Sequence, residues 1–106
     1  MKKLELVVSV KRSKSKEFKQ CLKILKDKIE DHSSSFEIDE SEDALTFSLL
    51  VQWETDVQMH QALQNDVFKL LSGAMNSLCE KTIFRIDDKQ VGNHISNLTS
   101  IVQAKL

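Results

Sequence analysis

The sequence predicts an α+β domain in which two helices shield one face of a four-stranded antiparallel sheet. Three observations carry the prediction: alternating apolar runs that read as strands, apolar stripes at helical spacing, and their order along the chain, β-α-β-β-α-β. Two helices cannot cover both faces of so small a sheet, so both are expected on the same face, the ferredoxin-like arrangement. A length of 106 residues suits a single domain.

Each element has its own signature. Leu4, Leu6, Val8 and Val10 alternate with Glu5, Val7, Ser9 and Lys11, predicting a first strand over about residues 3–11. Ser13 or Ser15 is placed to cap a helix over 15–31. Its stripe of Phe18, Cys21, Leu22, Leu25 and Ile29 faces inward, and Lys16, Lys19, Lys23, Lys26 and Glu30 face water. HSSS at 32–35 breaks the pattern. Phe36 and Ile38 then alternate with acids, ESED supplies a turn, and a long third strand over 44–53 follows. Leu45, Phe47, Leu49, Val51 and Trp53 share one face of that strand, opposite Thr46, Ser48, Leu50 and Gln52.

Thr55 and Gln58 form a T-x-x-Q capping box, so the chain turns directly from Trp53 into a second helix. Met59, Leu63, Leu70, Leu71, Met75 and Leu78 carry its stripe to about residue 79, and Asn65–Asp66 predicts a break within it. Thr82 to Ile86 is the last strand. Asn93 is a cap for a short C-terminal amphipathic helix carrying Ile95, Leu98, Ile101 and Val102. The expected division is therefore a domain over 1–90 and a helical extension over 91–106, docked on its own cleft or on a partner subunit.

Composition excludes several functions. Formal net charge is −1, which gives no global attraction to nucleic acid or a membrane. Ten of the fifteen Lys and Arg fall in residues 2–28, whereas 30–54 hold eight acids and no Lys or Arg. Such segregation is most simply two solvated faces. Two glycines, Gly73 and Gly92, cannot build a phosphate loop, nucleophile elbow or dinucleotide fingerprint. Cys21 and Cys79 lack C-x-x-C spacing, and His32, His60 and His94 are scattered, so no metal site is predicted. No run approaches the ~20 apolar residues of a membrane span, and Glu5 interrupts the apolar N-terminal run, so a cytoplasmic protein is expected.

The uncovered sheet face would carry Val7, Ser9, Thr46, Ser48, Leu50 and Gln52. That mixture is too apolar for water and too polar for a core, which predicts a homodimer built by packing this face on its own copy.

With the elements in this order, the chain resembles the antibiotic biosynthesis monooxygenase-like family, the dimeric α+β barrels. The likeness runs over residues 3–88 and is strongest at QWET and NDVFKLL, where Trp53, Glu54, Thr55, Leu63 and Phe68 occupy positions typical of the family. The resemblance implies a cofactor-independent oxidation of a small aromatic or quinol-like substrate. It does not extend to the usual polar residues. Haem-degrading members use an Asn on the first strand and a Trp and a His on the second helix; LELVVSV has no Asn, and Ala62 and Ser72 stand at the other two places. Quinol-oxidising members place a His where this chain has Ala62. His60, two residues away, lies about 200° around the helix axis from it.

The chemistry needs an apolar cavity and one base that draws a phenolic proton so that the carbanion can meet oxygen. Trp53, Met59, Phe68 and Phe18 are the candidate substrate-binding walls, and His60 is the candidate base. No cofactor is expected. The rival reading keeps the fold without the reaction: the same apolar side chains fill the interior, and the dimer serves as a ligand-binding or interaction module. A cleft of ~300 Å³ or more with an inward polar group favours the enzyme, and a solidly packed interior favours the module.

Overall fold

Alternation along the first strand decides the layering. In the computed structural model, which describes residues 2–87 and 89–92, strand β1 (Lys2–Val10) buries Leu4, Leu6, Val8 and Val10 and turns Lys3, Glu5, Val7 and Ser9 to the other face. It pairs antiparallel with β3 (Thr46–Trp53) on one side and β4 (Cys79–Ile86) on the other. Strand β2 (Ser35–Glu40) extends the sheet beyond β3, giving the order β2-β3-β1-β4 of a ferredoxin-like domain. A fifth strand, β5 (Lys89–Gly92), pairs with the outer edge of β4.

That fifth strand departs from the four expected. KQVG has no alternating pattern to announce it, and it crosses the boundary drawn at residue 90. The helix expected over 93–106 lies outside the described residues.

Register stacks the apolar residues into rows. Leu4 stands opposite Val51 and Ile86, Leu6 opposite Leu49 and Phe84, and Val8 opposite Phe47 and Thr82. Helices α1 (Ser15–Asp31), α2 (Asp56–Leu63) and α3 (Asp66–Leu78) supply the other half of this core through Phe18, Leu22, Leu25 and Ile29, through Met59, Ala62 and Leu63, and through Val67, Phe68, Leu71 and Met75. Each large apolar side chain so buried contributes about 1.5–3 kcal/mol relative to an exposed one.

The capping signals have mixed outcomes. Thr55 Oγ1 accepts from the Gln58 N–H at 3.2 Å, and Gln58 Oε1 accepts from the Glu54 N–H at 3.1 Å, one residue before the cap position. Asn65 Oδ1 accepts from the Val67 N–H at 3.0 Å and starts α3 afresh, so the expected break is present. Restarting the helix resets its phase. Leu70 therefore leaves the stripe assigned to it and is 59% exposed, while Ser72 turns inward.

Neither Ser13 nor Ser15 caps α1, whose N-terminus follows a 3₁₀ turn at Arg12–Lys14 without a side-chain cap. The Ser15 hydroxyl instead donates to the Ala44 carbonyl at 2.7 Å and ties α1 to the β2–β3 turn. Strand β4 begins at Cys79, earlier than Thr82, because α3 ends at Leu78 and Cys79 already pairs with Val10; a register shift follows between Ser9 and Val10.

The β2–β3 turn is held by side chains. Asp43 Oδ1 accepts from the Ser41 hydroxyl at 2.6 Å and from the Leu45 N–H at 3.1 Å, and these bonds hold its carboxyl below the usual range. Ala44 adopts φ 57°, the left-handed region that a Cβ disfavours by roughly 1–2 kcal/mol. Ala44→Gly relieves that strain, partly offset by the freer unfolded chain, and a gain of about 0.5–1 kcal/mol is expected in urea unfolding.

Candidate functional site

The end of the sheet at which β3 stops gathers segments distant in sequence. Ser35 pairs with Gln52, and the Ser34 N–H donates to the Gln52 carbonyl at 2.7 Å, so the loop leaving α1 is clamped to the close of β3. Within that loop the Ser33 hydroxyl donates to the Ile29 carbonyl at 2.8 Å and finishes α1.

Trp53 occupies the junction. Its residue parity turns it to the helix-covered face, where it is only 2% exposed. Its indole Nε1–H donates to the His32 carbonyl at 2.6 Å, and its ring lies 5.9 Å from that of Phe68, tilted by 50°. A large amphipathic side chain is thus satisfied at both ends: apolar ring against α3, N–H against the α1–β2 loop.

The structure brings four of the sequence-predicted site residues, Trp53, Met59, Phe68 and Phe18, into one core and leaves His60 outside it. Trp53, Met59 and Phe68 join one apolar cluster, and Met59 and Phe68 have no exposed surface. Phe18 is also fully buried but packs edge-on against Phe47, at 5.2 Å between ring centres. His60 is half-buried on α2. The space between sheet and helices expected to hold a substrate is here occupied by these side chains.

An open recess of about 360 Å³ lies instead on the outer side of Trp53. Asp31, His32, Ser33 and Ser34 of the α1–β2 loop form one wall. Trp53 and Glu54 at the close of β3 and Gln58, Gln61 and Ala62 of α2 line the rest of it. Its size passes the threshold set above, but His60 takes no part in it. Sequence reasoning treated His32 as an isolated loop residue and did not join it to Glu54 or Gln61. The available signal was the hairpin: once Phe36 and Val51 are paired, HSSS and WET must meet at the same end of the sheet. Among the described residues no group of three His, Cys, Asp or Glu is close enough to hold a metal ion.

The two thiols are free, Cys21 half-buried and Cys79 buried. Burial raises both, and Cys79 is pushed up to about 12 from an ordinary 9.0, against a smaller opposing effect of Lys11. Cys79 is therefore a protonated packing residue at neutral pH, unsuited to nucleophilic chemistry.

Two solved structures share the architecture. A Nitrosomonas europaea protein described as a candidate antibiotic biosynthesis monooxygenase superposes with a TM-score of 0.74 at 17% identity, covering 81% of this chain and 95% of its own. A conserved protein from Methanosarcina mazei Go1 gives 0.73 at 18% identity, covering 83% and 91%. No protein-family model matches the chain, and no curated protein matches it. These likenesses establish the fold, which is that of the family resembled by the QWET segment.

Two predictions test the reading of this end of the molecule. Trp53→Phe keeps most of the apolar ring but deprives the His32 carbonyl of its donor, costing about 1–3 kcal/mol, whereas Trp53→Ala costs about 3–5 kcal/mol in denaturant unfolding. For Cys79, folding retains a proton that the unfolded chain releases near its ordinary value. The contribution is complete below pH 9.0 and is lost as the pH rises toward about 12. Stability is therefore expected to fall on the alkaline side, by at most about 1.4 kcal/mol per pH unit from this group. Cys79→Ala flattens that fall, leaving a smaller share from Cys21.

Proposed function

We propose that the protein is a homodimeric, non-catalytic ligand-binding or interaction module built on the antibiotic biosynthesis monooxygenase-like fold. The observation that carries this reading is the filled interior: Trp53, Met59, Phe68 and Phe18, the side chains that would line a substrate cavity, are all buried in one core, Trp53 against Phe68 and Phe18 against Phe47. An oxidation of the expected kind needs open apolar space beside a base; Met59, Phe68 and Phe18 have no exposed surface, and the recess that Trp53 borders is lined mainly by polar residues.

Dimerisation is supported by the uncovered sheet face. Val7, Ser48, Leu50 and Ile83 stand half-exposed at its middle, with Glu5 and Arg85 paired at 2.9 Å beside them. Three apolar side chains flanked by hydroxyls suit an isologous contact, in which each copy covers the other's Val7, Leu50 and Ile83. The thiols, both free, fit a reducing compartment, and the cytoplasm is the location assigned with this reading. No helix among the described residues is long and apolar enough to cross a membrane.

A second reading, a cofactor-independent monooxygenase acting on a quinol-like molecule with His60 as base, is favoured by the description of the Nitrosomonas europaea neighbour. It requires the interior to open around Trp53 and Met59. Oxygen uptake with catechols and quinols, abolished in His60→Ala, would establish this reading over the first.

Light scattering tests the dimer directly. The expected particle has twice the 12.1 kDa chain mass. Leu50→Asp buries an uncompensated carboxylate at the contact and is expected to give monomer without loss of secondary structure. A wild-type particle at 12.1 kDa defeats the proposal.

A further inference from the structure

We infer that charge orients the dimer: the acidic β2 side of one copy's open sheet face lies over the basic β4 side of the other's. The inference rests on the dimeric reading above and deepens it, because it states which edge of the second copy each edge meets.

Register places the charges. Directly opposed residues of antiparallel strands share a face, so Glu37, opposite Leu50, and Asp39, opposite Ser48, stand on the open face at its β2 side. Beyond β1, Arg85 stands opposite Glu5 and Lys81 opposite Ser9, on the same face. One row therefore runs Glu37, Leu50, Glu5, Arg85 across four strands. The face is acidic at one side, apolar and hydroxyl-bearing in the middle, and basic at the other.

These charges differ in weight. Arg85 holds Glu5 through one guanidinium nitrogen at 2.9 Å, which leaves N–H donors for a second carboxylate. Glu80, exposed beside Lys81 where the β4 register shifts, removes part of the positive potential. Lys3, on the central strand opposite Gln52, favours neither edge. Among the described residues Glu37, Asp39 and Lys81 form no ion pair. Within one copy β2 and β4 are three strand spacings apart, about 14 Å. That exceeds the ~8–10 Å screening length of ordinary salt, so the two sides do not neutralise each other.

Symmetry leaves two ways to stack such a face on its twin. Packed sheets lie about 10 Å apart with their strands nearly aligned, and the two-fold axis between them runs either across the strands or along them. With the axis across, β2 covers β2: Glu37 and Asp39 of both copies crowd together, and Lys81 and Arg85 crowd at the far side. With the axis along, β2 covers the β4 side, and acids meet bases at both rims. Val7, Leu50 and Ile83 are covered in either case, so apolar burial does not choose. Like charges set against each other across an interface are penalised, and that selects the second arrangement.

Sedimentation equilibrium over a range of NaCl concentrations tests the dimer and its orientation separately. The wild-type chain is expected to dimerise, with a dissociation constant that rises with salt. Asp39→Lys and Lys81→Glu each turn attraction into repulsion at two symmetry-related places and are expected to weaken the dimer by about tenfold. The double variant exchanges the signs and is expected to regain most of the lost affinity, which damage to the fold would not allow. Lys23→Glu makes the same charge change on the exposed face of α1 and is expected to leave association unchanged. If both single reversals leave the dimer as tight or tighter, the orientation is wrong and the dimer stands. A double variant no tighter than the single ones overturns the orientation too. A wild-type chain that stays monomeric overturns both.

Discussion

Helices α1, α2 and α3 all press on one face of the sheet, and nearly everything else in the molecule depends on that one-sided burial. It follows from parity. Leu4, Leu6 and Val8 on β1 share a face with Phe47, Leu49 and Val51 on β3 and with Phe84 and Ile86 on β4, in register across three central strands. A slip of one residue would turn a row of leucines and phenylalanines to solvent, so the pairing is strongly specified. The cost of this solution is the other face. Val7, Leu50 and Ile83 remain half-exposed there, and only a second layer can bury them.

The same parity determines what Trp53 is. As the last inward residue of β3, it reaches the rim of the core with its indole nitrogen facing the backbone of the α1–β2 loop. An indole buried there without a partner would strand its N–H. The 2.6 Å bond to the His32 carbonyl removes that difficulty and in doing so helps anchor the α1–β2 loop. The histidine thus matters first through its backbone. The QWET segment thus supplies a strand end and a capped helix, which are features of the fold and not of any particular chemistry.

Much of this was readable from the chain. The first and third strands and α1 carry long, uninterrupted periods, and their bounds agree closely with the structure. The break before Asp66 was legible because Asn65 offers a local side-chain acceptor that competes with helix continuation. Leu70 was misplaced for the same reason: a stripe extrapolated through a break keeps the wrong phase. Ser13 and Ser15 were misread because a hydroxyl near a helix start has no obligation to cap it when a carbonyl from another turn, that of Ala44, lies within reach. Strand β5 has four residues and no alternation, so only its pairing with β4 defines it. The recess was the least legible of all, since it joins a loop, a strand end and a helix face. No periodicity links such pieces; only the hairpin register does.

Charge segregation acquires its meaning through that register. Acids concentrated in residues 30–54 could have been spread along the hairpin as solvated surface, and Glu37, Asp39 and Glu42 are. Asp31 and Glu54 differ because they flank the hairpin at its open end, where β2 begins and β3 stops, and both border the same recess. A recess of this kind costs the fold little, since its two carboxylates stay exposed and it borders Trp53, which the core already holds in place.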